Sequence, residues 1–309
     1  MEYLHHDTGG EDHPEQPERL KAIARKLSEG PLAPTIVEVA PVAASREDIL
    51  AVHDDDYLLR FEDACLSGRE YFGHSDNRIC YETWEIAFLS AGAGITGIEL
   101  IEASKSDLVF CSVRPPGHHA EAGLPLGFCF FNNVAVAAKY WQATYGRERI
   151  LIFDFDAHHG NGIQEIFDED PGVMYVSMHE HPTFSFPGTG WDYEQGTGPG
   201  KGFTLNVPLP PGAGDDLVLQ ALAEKITPAV EQFRPECIII AAGFDAHGRD
   251  DMSGLDWTTV VYGRLGTTIA NWADRFTDGR VLSILEGGYV PEALAASVET
   301  YLGGLSLVV

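Results

Sequence analysis

The residues that most clearly point to chemistry follow an apolar run at residues 150–153. Asp154, Asp156 and His158 are spaced two apart and lead into a glycine-containing segment. Alternate residues of a strand point to the same side, so these three side chains are expected to project together. Two carboxylates and an imidazole form a mixed oxygen and nitrogen ligand set that suits a divalent transition metal. The alternative is a hydrogen-bonded loop without a metal.

A further acidic residue, Asp245, comes shortly after a second apolar run at residues 237–242. A third ligand from a different strand end would complete the site and leave one position for water, as in catalytic zinc sites. A single Asp after a strand is more often a helix cap or a turn residue. Only its pairing with the first segment favours metal binding.

Two other segments carry groups suited to proton transfer. His118 and His119 are adjacent in a stretch stiffened by Pro and Gly, and imidazole titrates near neutral pH. An exposed polar loop is the alternative. Tyr289 follows paired glycines at the end of the apolar run 281–285, where the backbone can turn sharply and bring a phenol to a site. Taken alone, this last pattern is weak.

Together these four segments resemble the zinc-dependent histone deacetylase family, which includes acetylpolyamine amidohydrolases. The similarity extends over most of the chain. The residues of its motifs resemble the class II branch and its bacterial relatives more than class I. Supporting motifs are HPEQPERL at 13–20, GFCFFNN at 127–133 and FPGTG at 186–190. The resemblance implies hydrolysis of an acyl amide by metal-activated water.

The resemblance also implies the role of each site residue. The zinc ligands are Asp156, His158 and Asp245. A monovalent cation, potassium or sodium, is held by Asp154, Asp156, His158, Ser177 and the backbone of Met178.

Catalytic roles follow in the same way. His118 and His119 are the tandem histidines, with Asp154 as the partner of His118. Asn161 stands where class I members place an aspartate beside the second histidine, so His119 should be held less strongly as a cation. Tyr289 is the tyrosine that donates to the developing oxyanion.

The substrate channel is expected to be apolar. Gly127, Phe128 and Phe186 are its predicted walls, although ordinary core packing is the alternative for the two phenylalanines. Met252, seven residues after Asp245, falls at the rim position where a polyamine-specific relative has a glutamate. An apolar side chain cannot select a distant ammonium, so acyl-lysine substrates should be handled at least as well as acetylpolyamines.

Strand-like and helix-like segments alternate along the 309 residues, which predicts a parallel sheet with helices on both faces. The resemblance implies the three-layer arginase/deacetylase-like α/β fold, with about eight strands in a single domain over residues 1–309. Predicted strands lie at 36–39, 108–111, 150–153, 173–177, 203–207, 237–241 and 281–285. Predicted helices lie at 17–27, 81–103, 132–145, 215–233, 257–276 and 291–302.

Composition limits the partners. With 47 acidic and 20 basic residues the net charge is −27, which opposes nonspecific nucleic-acid binding and favours cationic ligands. General surface acidity is the simpler explanation of that charge.

Five cysteines without CxxC spacing suggest reduced thiols. The N-terminus lacks a signal-like pattern and no run approaches ~18 apolar residues, so we expect a cytoplasmic enzyme that does not insert into membranes. The quaternary state, a homo-oligomer included, stays open.

Three other functions remain to be separated from a lysine deacetylase. One is an acetylpolyamine deacetylase. Another is a binuclear manganese ureohydrolase, which needs further aspartates bridging two metals, whereas the segment 245–250 lacks a DxD pattern. The third is a catalytically silent acyl-lysine binding protein, against which the intact set His118, His119 and Tyr289 argues.

Overall fold

The centre of the molecule is a parallel sheet of six strands in a computed structural model that describes residues 2–10 and 13–306. The order across the sheet is β1-β6-β5-β2-β3-β4, and every neighbouring pair is parallel. The strands are β1 Leu108–Cys111, β2 Ile150–Asp154, β3 Val173–Glu180, β4 Thr204–Leu209, β5 Cys237–Ala242 and β6 Val281–Leu285. The predicted α/β class with a parallel sheet is confirmed.

The expected count of about eight strands is wrong for the residues that the structure describes. The segment 36–39, which we predict as a strand from its apolar residues, is in no strand. Val37 is 83% exposed and Val39 is 50% exposed. A strand needs a hydrogen-bonded neighbour, and in the described part of the chain this segment pairs with none of the six strands.

Ten α-helices surround the sheet in the described ranges. They are α1 Glu18–Glu29, α2 Arg46–Leu50, α3 Asp55–Leu66, α4 Thr83–Glu102, α5 Asn133–Tyr145, α6 Asn161–Phe167, α7 Asp215–Ala221, α8 Thr227–Phe233, α9 Thr259–Phe276 and α10 Pro291–Leu305. The predicted continuous helix at 215–233 is instead α7 and α8 joined by a π-helical turn at Leu222–Ile226. Sequence reasoning missed α2, α3 and α6. The last of these begins at Asn161 inside a glycine-containing motif that resembles a loop.

The core lies on both faces of the sheet because successive strand residues point to opposite sides. In β2, Leu151 and Phe153 pack into one cluster, and Ile150 and Ile152 pack into the other. The first cluster is covered by α1, α9 and α10, and the second by α3, α4 and α5. With both faces covered, the carboxyl ends of the strands remain as the edge where polar side chains can meet.

Helix α4 is long and apolar enough to span a membrane by length and composition, with a mean hydropathy of 1.3. This differs from our expectation that no such segment exists. Within the protein, 56% of that window is buried, and α4 packs against β1, β6 and α5. A single buried core helix meets the same criterion, so the finding is weak evidence for a membrane span.

Candidate metal and catalytic site

The predicted metal ligands come from two adjacent strands whose carboxyl ends coincide. β2 and β5 are paired in parallel with Asp154 opposite Ala241. Asp156 and His158 lie in the loop that follows β2, and Asp245 lies just beyond β5. Parallel pairing in this register therefore brings all three side chains to one point, and each is buried.

The three side chains form a group that fits a cation. Their ligand atoms lie within 4.8 Å of one another. The Nδ1 atom of His158 is 3.1 Å from Oδ1 of Asp156 and 2.9 Å from Oδ2 of Asp245. One ring nitrogen cannot donate to both carboxylates, and Oδ2 of Asp245 has no hydrogen-bond partner in the described residues. A cation among the three atoms would satisfy this buried oxygen.

Backbone groups support the same carboxylates. Oδ1 of Asp245 accepts a hydrogen bond from the backbone of Ala157 at 2.9 Å, and Oδ2 of Asp156 accepts one from Gly287 at 2.8 Å. A Cβ atom at Gly287 would lie 2.5 Å from Oδ2 of Asp245 and 2.6 Å from Oδ2 of Asp156. Glycine at position 287 thus allows the β6 end to approach the ligands closely.

His118 is held beside this group by a carboxylate, the partner that the family resemblance implies. Its Nδ1 lies 3.1 Å from Oδ2 of Asp154, which also accepts a hydrogen bond from the hydroxyl of Tyr175 at 3.0 Å. Burial opposes the charged imidazole, but Asp156 and Asp154 raise the pKa of His118 to about 10.

His119 has a different environment although its ring centroid is only 3.9 Å from that of His118. Its Nδ1 lies 2.9 Å from Oδ1 of Asn161, whose amide nitrogen donates to Glu121. Nδ1 therefore carries a hydrogen, and Nε2 of the neutral ring keeps its lone pair. Burial and the neighbouring His118 and His158 lower the pKa of His119 well below its usual value. The hydrogen bond to Asn161 acts in the opposite direction and raises this pKa, so the expected effect of asparagine in place of aspartate stays a prediction.

Tyr289 lies at the start of the segment that follows the paired glycines. The side chain of Arg19 lies 5.0 Å from the centre of its ring, and its Nε donates to the carbonyl of Gly288 at 2.6 Å. Burial and the nearby Asp245 raise the pKa of Tyr289 well above 10. The phenol is therefore protonated at neutral pH and able to donate a hydrogen bond.

One cavity of about 740 Å³ connects these groups with solvent. Its wall includes all four predicted channel residues, Gly127, Phe128, Phe186 and Met252, together with His119, His158 and Tyr289. The ring of Phe186 meets that of His119 edge-on, with centroids 5.0 Å apart. Phe186 is 40% exposed, so it is a wall residue rather than ordinary core.

The residues that the resemblance assigns to a monovalent cation also come together. Ser177 is paired with Asp154 across β2 and β3, and Met178 is the next residue of β3. Both are fully buried. The hydroxyl of Ser177 lies 2.7 Å from Nδ1 of His179, so this oxygen already has one partner in the protein.

Sequence reasoning assigned no structural role to several residues at the site. The cavity wall contains three carboxylates that we did not assign, Asp76, Glu180 and Asp251, and no Lys or Arg among its described lining residues. Asp250 and Glu286 lie behind Tyr289 and His118 and bond to backbone groups there. Glu286 was detectable, because a charged residue at the end of an apolar strand is costly to bury.

Comparison with known proteins agrees with this geometry. The family model described as a histone deacetylase domain matches residues 13–305. Histone deacetylase 10, chloroplastic, of Oryza sativa subsp. japonica is 39% identical, over 96% of this chain and 71% of the relative. A histone deacetylase-like amidohydrolase of Pseudomonas aeruginosa is 36% identical, over 96% of this chain and 78% of the relative.

A solved structure gives the same result. The crystal structure of the HDA15 HD domain superposes with a TM-score of 0.92 at 33% identity, covering 98% of this chain and 86% of that one. The likeness therefore extends over the sheet, its helices and the strand-end loops that hold the site. On the family match and these identities, the chain belongs to the histone deacetylase family of amide-hydrolysing enzymes.

Proposed function

We propose that this chain is a zinc-dependent amidohydrolase that removes acetyl or other acyl groups from acylated lysine side chains or related amines. The observation that carries the proposal is the buried group Asp156, His158 and Asp245, whose ligand atoms lie within 4.8 Å of one another beside His119 and Tyr289. When bound, zinc would polarise the amide carbonyl and lower the pKa of a water at the site towards ~7.

The two histidines divide the proton chemistry. His119 lines the cavity and its Nδ1 is bound to Asn161, so its Nε2 is left to accept a proton from an attacking water and act as general base. His118 is absent from the described cavity wall, and its Nδ1 lies beside the carboxylate of Asp154, so it lies behind His119. One or both imidazoles then return a proton to the departing amine.

Tyr289 stabilises the oxyanion. Its hydroxyl keeps its proton at neutral pH, and the residue lines the same cavity as His119, so the hydroxyl can donate to the developing charge on the carbonyl oxygen. A fixed donor of this kind contributes about 2.7–4 kcal/mol to transition-state stabilisation.

The cavity wall indicates the substrate class. Phe128 and Phe186 offer apolar surface for an aliphatic stem, while Glu180, Asp251 and Asp76 give the cavity a negative charge. This combination favours acylated amines whose remainder is cationic, which includes acetyl-lysine in basic peptides and acetylpolyamines. Met252 supplies no charge at the rim, so acetylpolyamine deacetylation is the second candidate rather than the first.

A monovalent cation, potassium or sodium, is part of the proposal. The carboxylates of Asp154 and Asp156 and the oxygens of Ser177 and Met178 offer hard ligands close to the zinc group. A cation there would offset the repulsion between two buried carboxylates.

Metal analysis combined with a turnover assay tests the proposal. The purified chain should hold one zinc per molecule and hydrolyse a generic acetyl-lysine amide. Two manganese ions per chain and turnover of a guanidino substrate would instead support a ureohydrolase. Stoichiometric zinc without turnover of any acyl amide would support a silent acyl-lysine binding protein.

A further inference from the structure

Glu286 is a buried carboxylate that the proposed reaction does not use. It is the first residue after β6 and is fully buried. Its Oε2 accepts hydrogen bonds from the backbone of Gly117 at 2.7 Å and of His118 at 3.1 Å. Its Oε1 has no hydrogen-bond partner in the described residues. The side chain thus joins the β6 end to the segment that carries both histidines.

The backbone of that segment is held on its other side as well. The carbonyl of His118 accepts hydrogen bonds from Gly162 at 3.1 Å and Ile163 at 3.3 Å, in the first turn of α6. A Cβ atom at Gly117 would lie 2.5 Å from the backbone nitrogen of Asn133, so this segment is packed tightly against α5. Glu286 supplies the acceptor for the backbone N–H groups of Gly117 and His118.

The backbone of Glu286 is fixed too. Its carbonyl accepts a hydrogen bond from Arg19, and its N–H donates to the carbonyl of Ala242 at 3.0 Å. Three residues later the chain reaches Tyr289. Glu286 therefore links the segment of the oxyanion donor with the segment of the general base through two hydrogen bonds.

Burying the Glu286 carboxylate in this way lowers the stability of the fold. Burial raises the pKa of Glu286 to about 7, although His118 and the two backbone N–H groups oppose the shift. Its Oε1 has no partner among the described residues, and a buried polar atom left unpaired lowers stability. An apolar residue at this position would avoid the cost, but it would leave the N–H groups of Gly117 and His118 without an acceptor.

We propose that Glu286 is a positioning residue of the deacetylase reaction, whose carboxylate fixes the Gly117–His118 backbone relative to Tyr289. The expected effect on kcat rests on the proposed deacetylase function. The relevant property is the acceptor oxygen, since the tandem histidines depend on backbone placement. A displacement of about 1 Å in a catalytic group can lower the rate by ~10².

Two variants of similar volume separate the acceptor from the packing. Glu286→Gln keeps an acceptor oxygen, whereas Glu286→Met fills the same space without one. We expect Glu286→Gln to retain kcat within about threefold and Glu286→Met to lose about 10–10² in kcat, with KM nearly unchanged and zinc stoichiometric in both. Val230→Ala in α8, which truncates a fully buried core side chain outside the cavity wall, controls for general destabilisation.

Hydrogen exchange of the Gly117 and His118 amides gives a readout that does not depend on activity. Exchange should be slow in the wild type and in Glu286→Gln, and faster in Glu286→Met. If Glu286→Met does not fold, Glu286→Asp, which withdraws the carboxylate by one methylene, should show the same faster exchange and lower kcat.

Wild-type kcat and protection in Glu286→Met or Glu286→Asp would overturn the proposal. An equal kcat loss in Glu286→Gln and Glu286→Met would also overturn it, because the acceptor would then not matter. If the wild type lacked zinc and turnover, the proposed function would fail, while the exchange data would still decide the positioning role.

Discussion

Oδ2 of Asp250 accepts a hydrogen bond from the backbone N–H of Tyr289 at 2.6 Å. The other oxygen of this carboxylate accepts one from the backbone of Met252 at 3.2 Å. Asp250 itself is 6% exposed, and burial together with the nearby Asp245 raises its pKa to about 6. One side chain therefore connects the backbone of Met252 at the cavity rim with the backbone of Tyr289.

Replacing Asp250 by Asn should weaken this connection, because an amide has only one acceptor oxygen. The loss of one hydrogen bond, about 1–1.5 kcal/mol, predicts a kcat roughly tenfold lower with zinc retained. Steady-state kinetics and metal analysis of Asp250→Asn would measure both. Asp278→Asn, which removes an exposed carboxylate, is the control for the change of charge. Unchanged kcat in Asp250→Asn would exclude a role in placing Tyr289.

Removing any ligand should remove the metal. Asp156→Ala, His158→Ala and Asp245→Ala each leave two protein ligands, which hold zinc poorly, so activity should be lost with the ion. Elemental analysis of each purified variant gives the answer directly. A variant that keeps stoichiometric zinc would lose its place among the ligands.

Tyr289→Phe should act on the reaction and not on the metal. The variant loses one oxyanion donor, so kcat should fall by ~10²–10³ while zinc content and KM stay close to those of the wild type. Phe128 packs edge-on against the ring at 5.9 Å, and a phenylalanine ring preserves this contact. Near wild-type turnover would show that another group stabilises the oxyanion.

Substrate preference should depend on the uncharged side chain of Met252 at the cavity rim. We expect kcat/KM for acetyl-lysine peptides to equal or exceed that for acetylspermidine or acetylputrescine, because Met252 cannot bind a distant ammonium. Glu180→Gln should raise KM for peptides with neighbouring basic residues more than for neutral ones, since Glu180 lies in the cavity wall. An acetylpolyamine that is turned over tenfold better than every peptide tested would reverse the assignment.

Acid should destabilise the fold by protonating Glu15, which forms buried ion pairs with Arg19 and Arg114. Burial opposes ionisation of Glu15, but Arg114 and Arg19 lower its pKa to about 2, below the usual 4.5. A lowered carboxyl pKa stabilises the fold above about pH 4.5, and this contribution is lost as pH falls towards 2. The contribution is on the order of 3 kcal/mol.

Chemical denaturation of metal-free wild type and Glu15→Gln between pH 7 and pH 2 measures this contribution. The difference in unfolding free energy should be largest near neutral pH and shrink below pH 4.5. The partners Arg114 and Arg19 are also buried, so Glu15→Gln leaves them without their carboxylate at every pH. A difference that is constant with pH would show that Glu15 does not titrate in this range.

Much of the site could be predicted from the sequence, because its polar motifs each follow an apolar run. Asp154, Asp156, His158 and Asp245 are recognisable because parallel strands, buried on both faces, read as continuous apolar runs, and ligands collect at their carboxyl ends. The same argument predicts that His118 and Tyr289 lie at that edge. The family resemblance supplied their separate roles.

Other features depend on contacts between distant parts of the chain. Residues 36–39 have a strand-like composition, but strand formation needs a neighbour with free hydrogen-bonding groups, which local sequence does not reveal. Glu180 reads as a residue after a strand, and only folding brings it into the cavity wall. Asp250 and Glu286 bond to backbone N–H groups, which every residue except proline has, so their partners carry no sequence signal. Tertiary structure alone decided which segments those carboxylates hold together.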